Sequence, residues 1–394
     1  MGNSKPIRVL YSAHEANLTG ASRSLLDLLS GLDREQVEPT VLLPNHGPLE
    51  DKLKDLDVSY AVLRSVKEFE SPSRMKAILK RLLAPLLQLR VNRFVREGKF
   101  DLVHNNSMLS LVGARAAQRA GIPYVCHVRD MVQEDHGMDF IDEGDVKRVL
   151  CGASAIVFIS EFVAKKFGPW APGVRQIVIW NLVDSSLYFA NHSALFENGV
   201  CHLVLVGAFS SGKGQMDAIQ ATELLIHDGL DVSLTLIGSM RQEEYYQESV
   251  AYISQHDLSS WIRVLEFQDD LKVLRAESDI ALMCSTSEAL GRVTIEGMMS
   301  GCLVVGADAG ATPELVCDGD TGLLYRAGDP KSLASRIKWA IENPDSAQSI
   351  ALKGQHWAIS NPAFDRKHYI EEIIALYEKV LMKAENDGSY FLGK

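Results

Sequence analysis

Residues Ser285–Leu324 read STSEALGRVTIEGMMSGCLVVGADAGATPELVCDGDTGLL, and the order of residue types in them points to one kind of fold. The stretch follows an apolar run at Ile280–Cys284, passes a turn containing Gly291, and enters a helix at about Arg292. Further apolar runs follow at Leu303–Gly306 and Gly322–Tyr325. Short apolar runs without alternation, separated by helical stretches, are expected of parallel strands buried on both faces. A helix start behind such a strand presents unpaired backbone N–H groups, which favour an anion such as a diphosphate. Glu288 lies in the turn and Glu296 on the helix, with seven residues between them. One carboxylate can meet a ligand at the turn while the other accepts hydrogen bonds from hydroxyls a turn further on. A solvated helix behind a simple turn fits the spacing as well, and the spacing alone leaves both readings open.

Outward from this stretch the same grammar repeats. Strands are expected upstream at Leu203–Gly207, Ser233–Ile237 and Ile262–Phe267, with amphipathic helices between them. A polar stretch at Asn191–Gly199 interrupts the pattern. Before it, strands are expected at Ile7–Ser12, Thr40–Pro44, Tyr60–Leu63, Leu102–Asn105, Tyr124–Val128, Ala155–Ser160 and Ile177–Trp180. The expected architecture is α/β, with two Rossmann-like doubly wound domains at residues 1–190 and 200–365 facing a central cleft. A last helix within residues 366–394 is free to cross back onto the first domain. At 394 residues, two cores are the natural division.

Composition narrows the class. With 46% hydrophobic and 23% charged residues the chain is ordinary for a globular protein. A net charge of −11 gives the molecule as a whole no electrostatic affinity for nucleic acid. No run of eighteen apolar residues is present, and the opening MGNSKPIRVLY has neither a secretory core nor, because of Pro6, a myristoylation pattern. Cys126, Cys151, Cys201, Cys284, Cys302 and Cys317 show no CxxC spacing and are read as reduced, buried thiols of a cytoplasmic protein. The Asn-x-Ser/Thr triplets at Asn17, Asn105 and Asn191 are then chance matches.

The Ser285–Leu324 stretch resembles the signature of retaining glycosyltransferases of the GT-B fold, specifically glycosyltransferase family four. That pattern reads E-G-F-G-x-x-x-x-E-A-M-x-x-G-x-P-V-V, then G-G-x-x-E-L-V and T-G-L-L. Glu288, Gly291, Glu296, Met298, Gly301, Val304, Val305, Gly310, Glu314–Val316 and Thr321–Leu324 match it, while Ala289, Leu290 and Leu303 depart. Upstream, LVGAFSSGKG at Leu205–Gly214 looks like the family's V-G-R-x-x-x-x-K-G loop, with Lys213 matching and Ala208 replacing the arginine. NLTGA at Asn17–Ala21 stands where the family has a glycine-rich loop, of which Gly20 remains. DLVHNN at Asp101–Asn106 and YVCHVRD at Tyr124–Asp130 are similar to its two strand-end histidine segments. Asn181–Asp184 is similar to its N-G-V-D turn. The likeness spans nearly the whole chain.

What the resemblance implies is transfer of a sugar, with retained anomeric configuration, from a nucleotide sugar to a glycan or lipid-linked acceptor, as in surface polysaccharide synthesis. Donor-binding residues would be Gly20, Lys213, Gly291, Arg292, Val293 and Glu296, with Arg292 a candidate for the charge absent at Ala208. Catalytic residues would be Glu288 on the donor sugar, His127 near sugar and acceptor, and Lys213 against the leaving diphosphate. No metal or other cofactor is expected, the nucleotide sugar being a co-substrate; Asp318-Gly319-Asp320 reads as a turn. A sugar-nucleotide epimerase and a non-catalytic nucleotide-sugar-binding protein are the alternatives of the same fold.

One segment bears on the acceptor. Arg74–Lys99 carries eight basic residues and one acid, net +7, which leaves −18 for the rest of the chain. Leucines interleave with the charges, and Pro85 breaks the run into what reads as a basic amphipathic helix pair. Such a pair suits an anionic membrane surface on the inner face, and equally an ordinary helix packed on the first sheet.

Overall fold

Strands β1 (Ile7–Ser12), β2 (Val37–Leu43), β3 (Ser59–Val62), β4 (Leu102–Asn105), β5 (Tyr124–Val128), β6 (Ala155–Phe158) and β7 (Gln176–Val178) form one sheet. A second contains β8 (Cys201–Val206), β9 (Val232–Ile237), β10 (Ile262–Leu265), β11 (Ile280–Met283), β12 (Leu303–Ala307) and β13 (Leu323–Tyr325). This computed structural model describes residues 5–65, 74–136, 139–190, 194–268 and 270–386. The strand orders are 3-2-1-4-5-6-7 and 10-9-8-11-12-13, and every pairing is parallel. Both sheets are therefore doubly wound, the order reversing beside β1 in one and beside β8 in the other.

The chain divides into a unit of Met1–Leu182 with Asp365–Lys394 and a unit of Val183–Phe364. In the first, Val9, Tyr11, Val41, Leu102, Val125 and Val157 from the strands bury against Leu25, Leu28 and Leu29. The same core takes in Tyr369, Ile373, Leu376, Tyr377 and Val380 of the last helix, Arg366–Asn386. The second unit has its own core, built on Leu203, Leu205, Leu234, Leu236, Ile280, Leu282, Leu303 and Val305.

Two differences from the sequence expectation have physical reasons. Strand β2 begins at Val37 and includes Pro39, which pairs with Val9 of β1. Strand β3 starts only opposite Thr40, so Pro39 lies where β2 has a neighbour on one side, a place that tolerates a missing N–H. The basic segment is one helix, Arg74–Glu97, with Pro85 inside it and not a break between two. A proline removes a single backbone hydrogen bond, and a helix this long continues past it. The side chains of residues 74–82 and the Asn191 triplet lie outside the described residues.

All six cysteines are free, but Cys151 and Cys317 are exposed, so burial applies to the other four. Burial pushes the Cys126, Cys284 and Cys302 thiols up to about 12, which leaves them as inert apolar fillers. No helix among the described residues is long and apolar enough to cross a membrane.

Ile373 is fully buried in the first unit's core although it lies far along the chain from the rest. Ile373→Ala should cost about 2–5 kcal/mol through the cavity it leaves. Urea unfolding followed by probes in each unit should show the loss confined to the first.

Candidate functional site

Strands β8 and β11 are hydrogen-bonded neighbours, so the loops leaving their carboxyl ends meet. The first loop ends in a short turn, Ser211–Lys213, followed by Gly214 at φ +68°. A Cβ at Gly214 would lie 2.3 Å from the Cys284 carbonyl oxygen, so only glycine lets the loop come this close. The Gly212 carbonyl accepts from Thr286 N at 3.2 Å and from Ser285 Oγ at 3.0 Å, which ties the two loops together. Lys213 is thereby delivered to Glu288, with Nζ donating to Oε2 at 2.5 Å. Both side chains are mostly shielded, at 26% and 16% exposure.

Glu288 is held from behind by a third loop, since Ala311 N donates to its carbonyl at 2.8 Å. Gly291 (φ +89°) then turns the chain into the helix Arg292–Met299. Gly291 has no side chain to cap that helix, and a helix start of this kind favours an anion. Val293 is half-buried in this first turn, and the buried Thr294 hydroxyl beside it has no hydrogen-bond partner among the described residues. Pattern matching gave no signal for Thr294.

Glu296 is buried and is not a solvated helix residue. Arg275 Nη2 donates to its Oε2 at 2.5 Å, and Arg292 Nε lies 3.9 Å from its Oε1. The charge of Arg292 is thus directed at Glu296. Arg275 is 2% exposed, and its guanidinium lies 5.3 Å from the Tyr188 ring. Burial first, and then the Glu296 charge, raise the Tyr188 hydroxyl above its ordinary range, against the pull of Arg292 and Arg275. Arg275 escaped the sequence reading because it belongs to a short helix, Lys272–Ala276, with no motif around it. At the loop position of the missing arginine, the Ala208 carbonyl accepts from Gln215 Nε2 at 3.1 Å.

The other predicted residues belong to the first unit. Gly20 opens the helix Gly20–Gly31 just beyond β1, exposed, with nothing within 4 Å of where a Cβ would be. The loop before it brings together His14 and Glu15 (2.9 Å) and Glu15 and Thr19 (2.7 Å), a cluster that no motif announced. His127 in β5 is fully buried, with Nδ1 3.0 Å from Arg129 Nη2 and 3.3 Å from His104 Nε2. Burial foremost, then the Arg129 charge, drive His127 well below its ordinary value and His104 down to about 3. Both rings are therefore neutral at physiological pH.

Asp318-Gly319-Asp320 is a turn, with its carboxylates paired to Arg336 and Lys353. Among the described residues no group of three or more His, Cys, Asp or Glu is gathered as a metal site requires.

Comparison with known proteins supplies the class. The family described as Glycosyl transferase 4-like domain matches residues 19–181, and Glycosyl transferases group 1 matches residues 195–357. The chain belongs to the family-four-like glycosyltransferases of the GT-B fold. This glycosyltransferase is 25% identical over 311 residues to alpha-maltose-1-phosphate synthase of Mycolicibacterium smegmatis, covering 71% of this chain and 79% of that protein. From the same organism, GDP-mannose-dependent alpha-(1-6)-phosphatidylinositol monomannoside mannosyltransferase is 24% identical, over 70% of this chain and 76% of the relative. The crystal structure of Anabaena HepE in complex with UDP-glucose matches with a TM-score of 0.77 at 25% identity, covering 95% of this chain and 100% of that one.

Because Arg275 is buried against Glu296, exchanging the carboxylate tests more than ligand binding. Glu296→Gln strands a buried guanidinium and should cost about 3–5 kcal/mol of stability. Chemical denaturation should show that loss, and the double variant Arg275→Met/Glu296→Gln should recover part of it.

Proposed function

We propose that this glycosyltransferase takes a nucleoside-diphosphate sugar and passes the sugar, with retained anomeric configuration, to a glycan or lipid-linked acceptor in surface polysaccharide assembly. The observation that carries the reading is the meeting of Lys213 and Glu288 beside an uncapped helix start with an unpartnered Thr294 hydroxyl. In this proposal the donor diphosphate takes the amides at Gly291–Val293 and the Thr294 hydroxyl. Lys213 turns from Glu288 to the diphosphate and counters the charge that grows as the bond to the anomeric carbon breaks. A fixed cation and amides aimed at a departing diphosphate form the kind of electrostatic stabilisation that dominates such reactions. Glu288, released from Lys213, accepts hydrogen bonds from hydroxyls of the sugar. Glu296, oriented by Arg275, takes the ribose hydroxyls. Gly20 leaves room for backbone to approach the donor, and His127 serves the sugar or the acceptor.

Support for a nucleotide-sugar donor comes from the Anabaena structure solved with UDP-glucose, and support for a lipid-linked acceptor from the M. smegmatis relative named for a phosphatidylinositol mannoside. The proposed location is cytoplasmic, on the inner face of the membrane. Helix Arg74–Glu97 exposes Leu83, Leu86 and Leu89 at 44%, 63% and 61%, next to the exposed Arg90 and Arg93. Exposed leucines beside arginines match an anionic lipid surface in both chemistry and charge.

Three measurements test the reading. Glu288→Gln should lower kcat more than it raises donor KM, since its partner moves in the transition state, and it should leave free nucleoside diphosphate bound almost as in wild type. Equal loss of diphosphate binding in Glu288→Gln and Glu296→Gln would overturn the placement of the donor. Turnover should persist in EDTA, because Lys213 and helix amides do the work of a metal; loss restored by Mg²⁺ or Mn²⁺ would refute this. Binding to anionic liposomes should weaken by about 1 kcal/mol for each of Arg90→Gln and Arg93→Gln, and equal binding to neutral vesicles would refute membrane contact.

A further inference from the structure

In the first unit, four buried side chains form a hydrogen-bond chain from the last helix to β5. The Tyr11 and Tyr377 hydroxyls are 3.3 Å apart, and the Tyr377 hydroxyl lies 2.7 Å from His104 Nδ1. His104 Nε2 lies 3.3 Å from His127 Nδ1. All four residues are fully buried, so no bulk water interrupts the chain. His127 Nε2, at its end, is buried and has no hydrogen-bond partner among the described residues.

A neutral imidazole has one donor and one acceptor nitrogen, so this chain has two consistent proton orders. In the first, Tyr377 donates to His104 Nδ1, His104 Nε2–H donates to His127 Nδ1, and His127 carries its own proton on Nε2. In the second every bond is reversed, and His127 Nε2 carries a lone pair. The two orders give His127 opposite chemistry. One makes it a hydrogen-bond donor, the other a proton acceptor.

Arg129 decides between them. Its Nη2 lies 3.0 Å from His127 Nδ1, and a guanidinium only donates. Nδ1 is therefore the acceptor nitrogen, and the first order follows through His104 to Tyr377. Arg129 is fixed in this task, with Nε donating to Asn106 O and Oδ1 at 3.2 Å and Nη1 donating to Asn181 Oδ1.

We infer that Arg129 is a positioning residue that fixes the proton order of the Tyr377–His104–His127 chain, so that His127 presents an Nε2–H donor and not a base. The partner it suits is a neutral oxygen, such as a hydroxyl or ring oxygen of the sugar. This consequence rests on the proposed placement of His127 near the sugar or acceptor; the proton order itself does not.

The test uses the full chain with ¹⁵N-labelled histidine, and NMR that distinguishes the two ring tautomers. In wild type both His104 and His127 should hold the Nε2–H form, without titrating, from about pH 5.5 to 8. Arg129→Lys, which places another donor-only cation, should keep that pattern. Arg129→Met should release it, with Nδ1–H forms appearing at both rings together. A wild-type His127 in the Nδ1–H form, or titrating near about 6.5, overturns the inference. So do unchanged tautomers in Arg129→Met. If that variant does not fold, the wild-type and Arg129→Lys spectra still decide. In turnover, Arg129→Met should lower kcat about tenfold or more with donor KM nearly unchanged, and Arg129→Lys should restore part of it. Altered tautomers with unaltered kcat would overturn the positioning role, and would trace the failure to the placement of His127 near substrate, with the proton order left standing.

Discussion

The carbonyl oxygen of Gly212 is the knot on which the candidate site depends. It accepts from Ser285 and Thr286, and so holds the loop after β8 against the loop after β11. Those strands are parallel neighbours at the point where the order of this sheet reverses, so the loops leaving their carboxyl ends start side by side. Gly214 permits the approach, because any side chain there would collide with the Cys284 carbonyl. Lys213 and Glu288, 75 residues apart along the chain, become an ion pair as a result. A shielded pair of this kind adds little net stability, since desolvation offsets most of the attraction. What the pair does is hold both charges beside the start of the helix Arg292–Met299.

Three sets of shielded charges are handled differently. Lys213 and Glu288 neutralise one another at a partly open position. Arg275 and Glu296 do so in the interior, and Arg292 leans on the same carboxylate, so that Glu296 is held between two cations. Arg129 is nearly as buried as Arg275, yet among the described residues its partners are the neutral Asn106, Asn181 and His127. A cation held by neutral groups costs more than one held by a carboxylate, but it polarises every hydrogen bond around it. The neutral state of both histidines follows from burial first, and then from that cation.

Much of the architecture was legible in the residue order. Runs such as Leu203–Gly207 and Ile280–Cys284 are apolar without alternation because their strands are covered on both faces, and that periodicity survives in any reading of the sequence. Glu288, Gly291 and Glu296 stood out only through the resemblance of their turn and helix to the family signature, since their spacing by itself fits a solvated helix as well. Pro85 misled because a proline's effect depends on what stands beside it. Cys151 and Cys317 misled because an apolar neighbourhood in sequence is not burial in space.

By itself the sequence determined where strands and helices alternate, the glycines on which the loops turn, and the charged residues of the Ser285–Leu324 stretch. These are local properties, set by backbone conformation and by the pattern of residues a few positions apart. Only the tertiary structure decided that Arg275 sits on Glu296, that Lys213 meets Glu288, and that Arg129 and Tyr377 bracket the two histidines. Tyr377 lies 273 residues from His104, on a helix whose other residues complete the first unit's core. No spacing encodes such a contact. It forms because the apolar face of that helix must be buried, and the tyrosine hydroxyl carried inward with it must find a partner there.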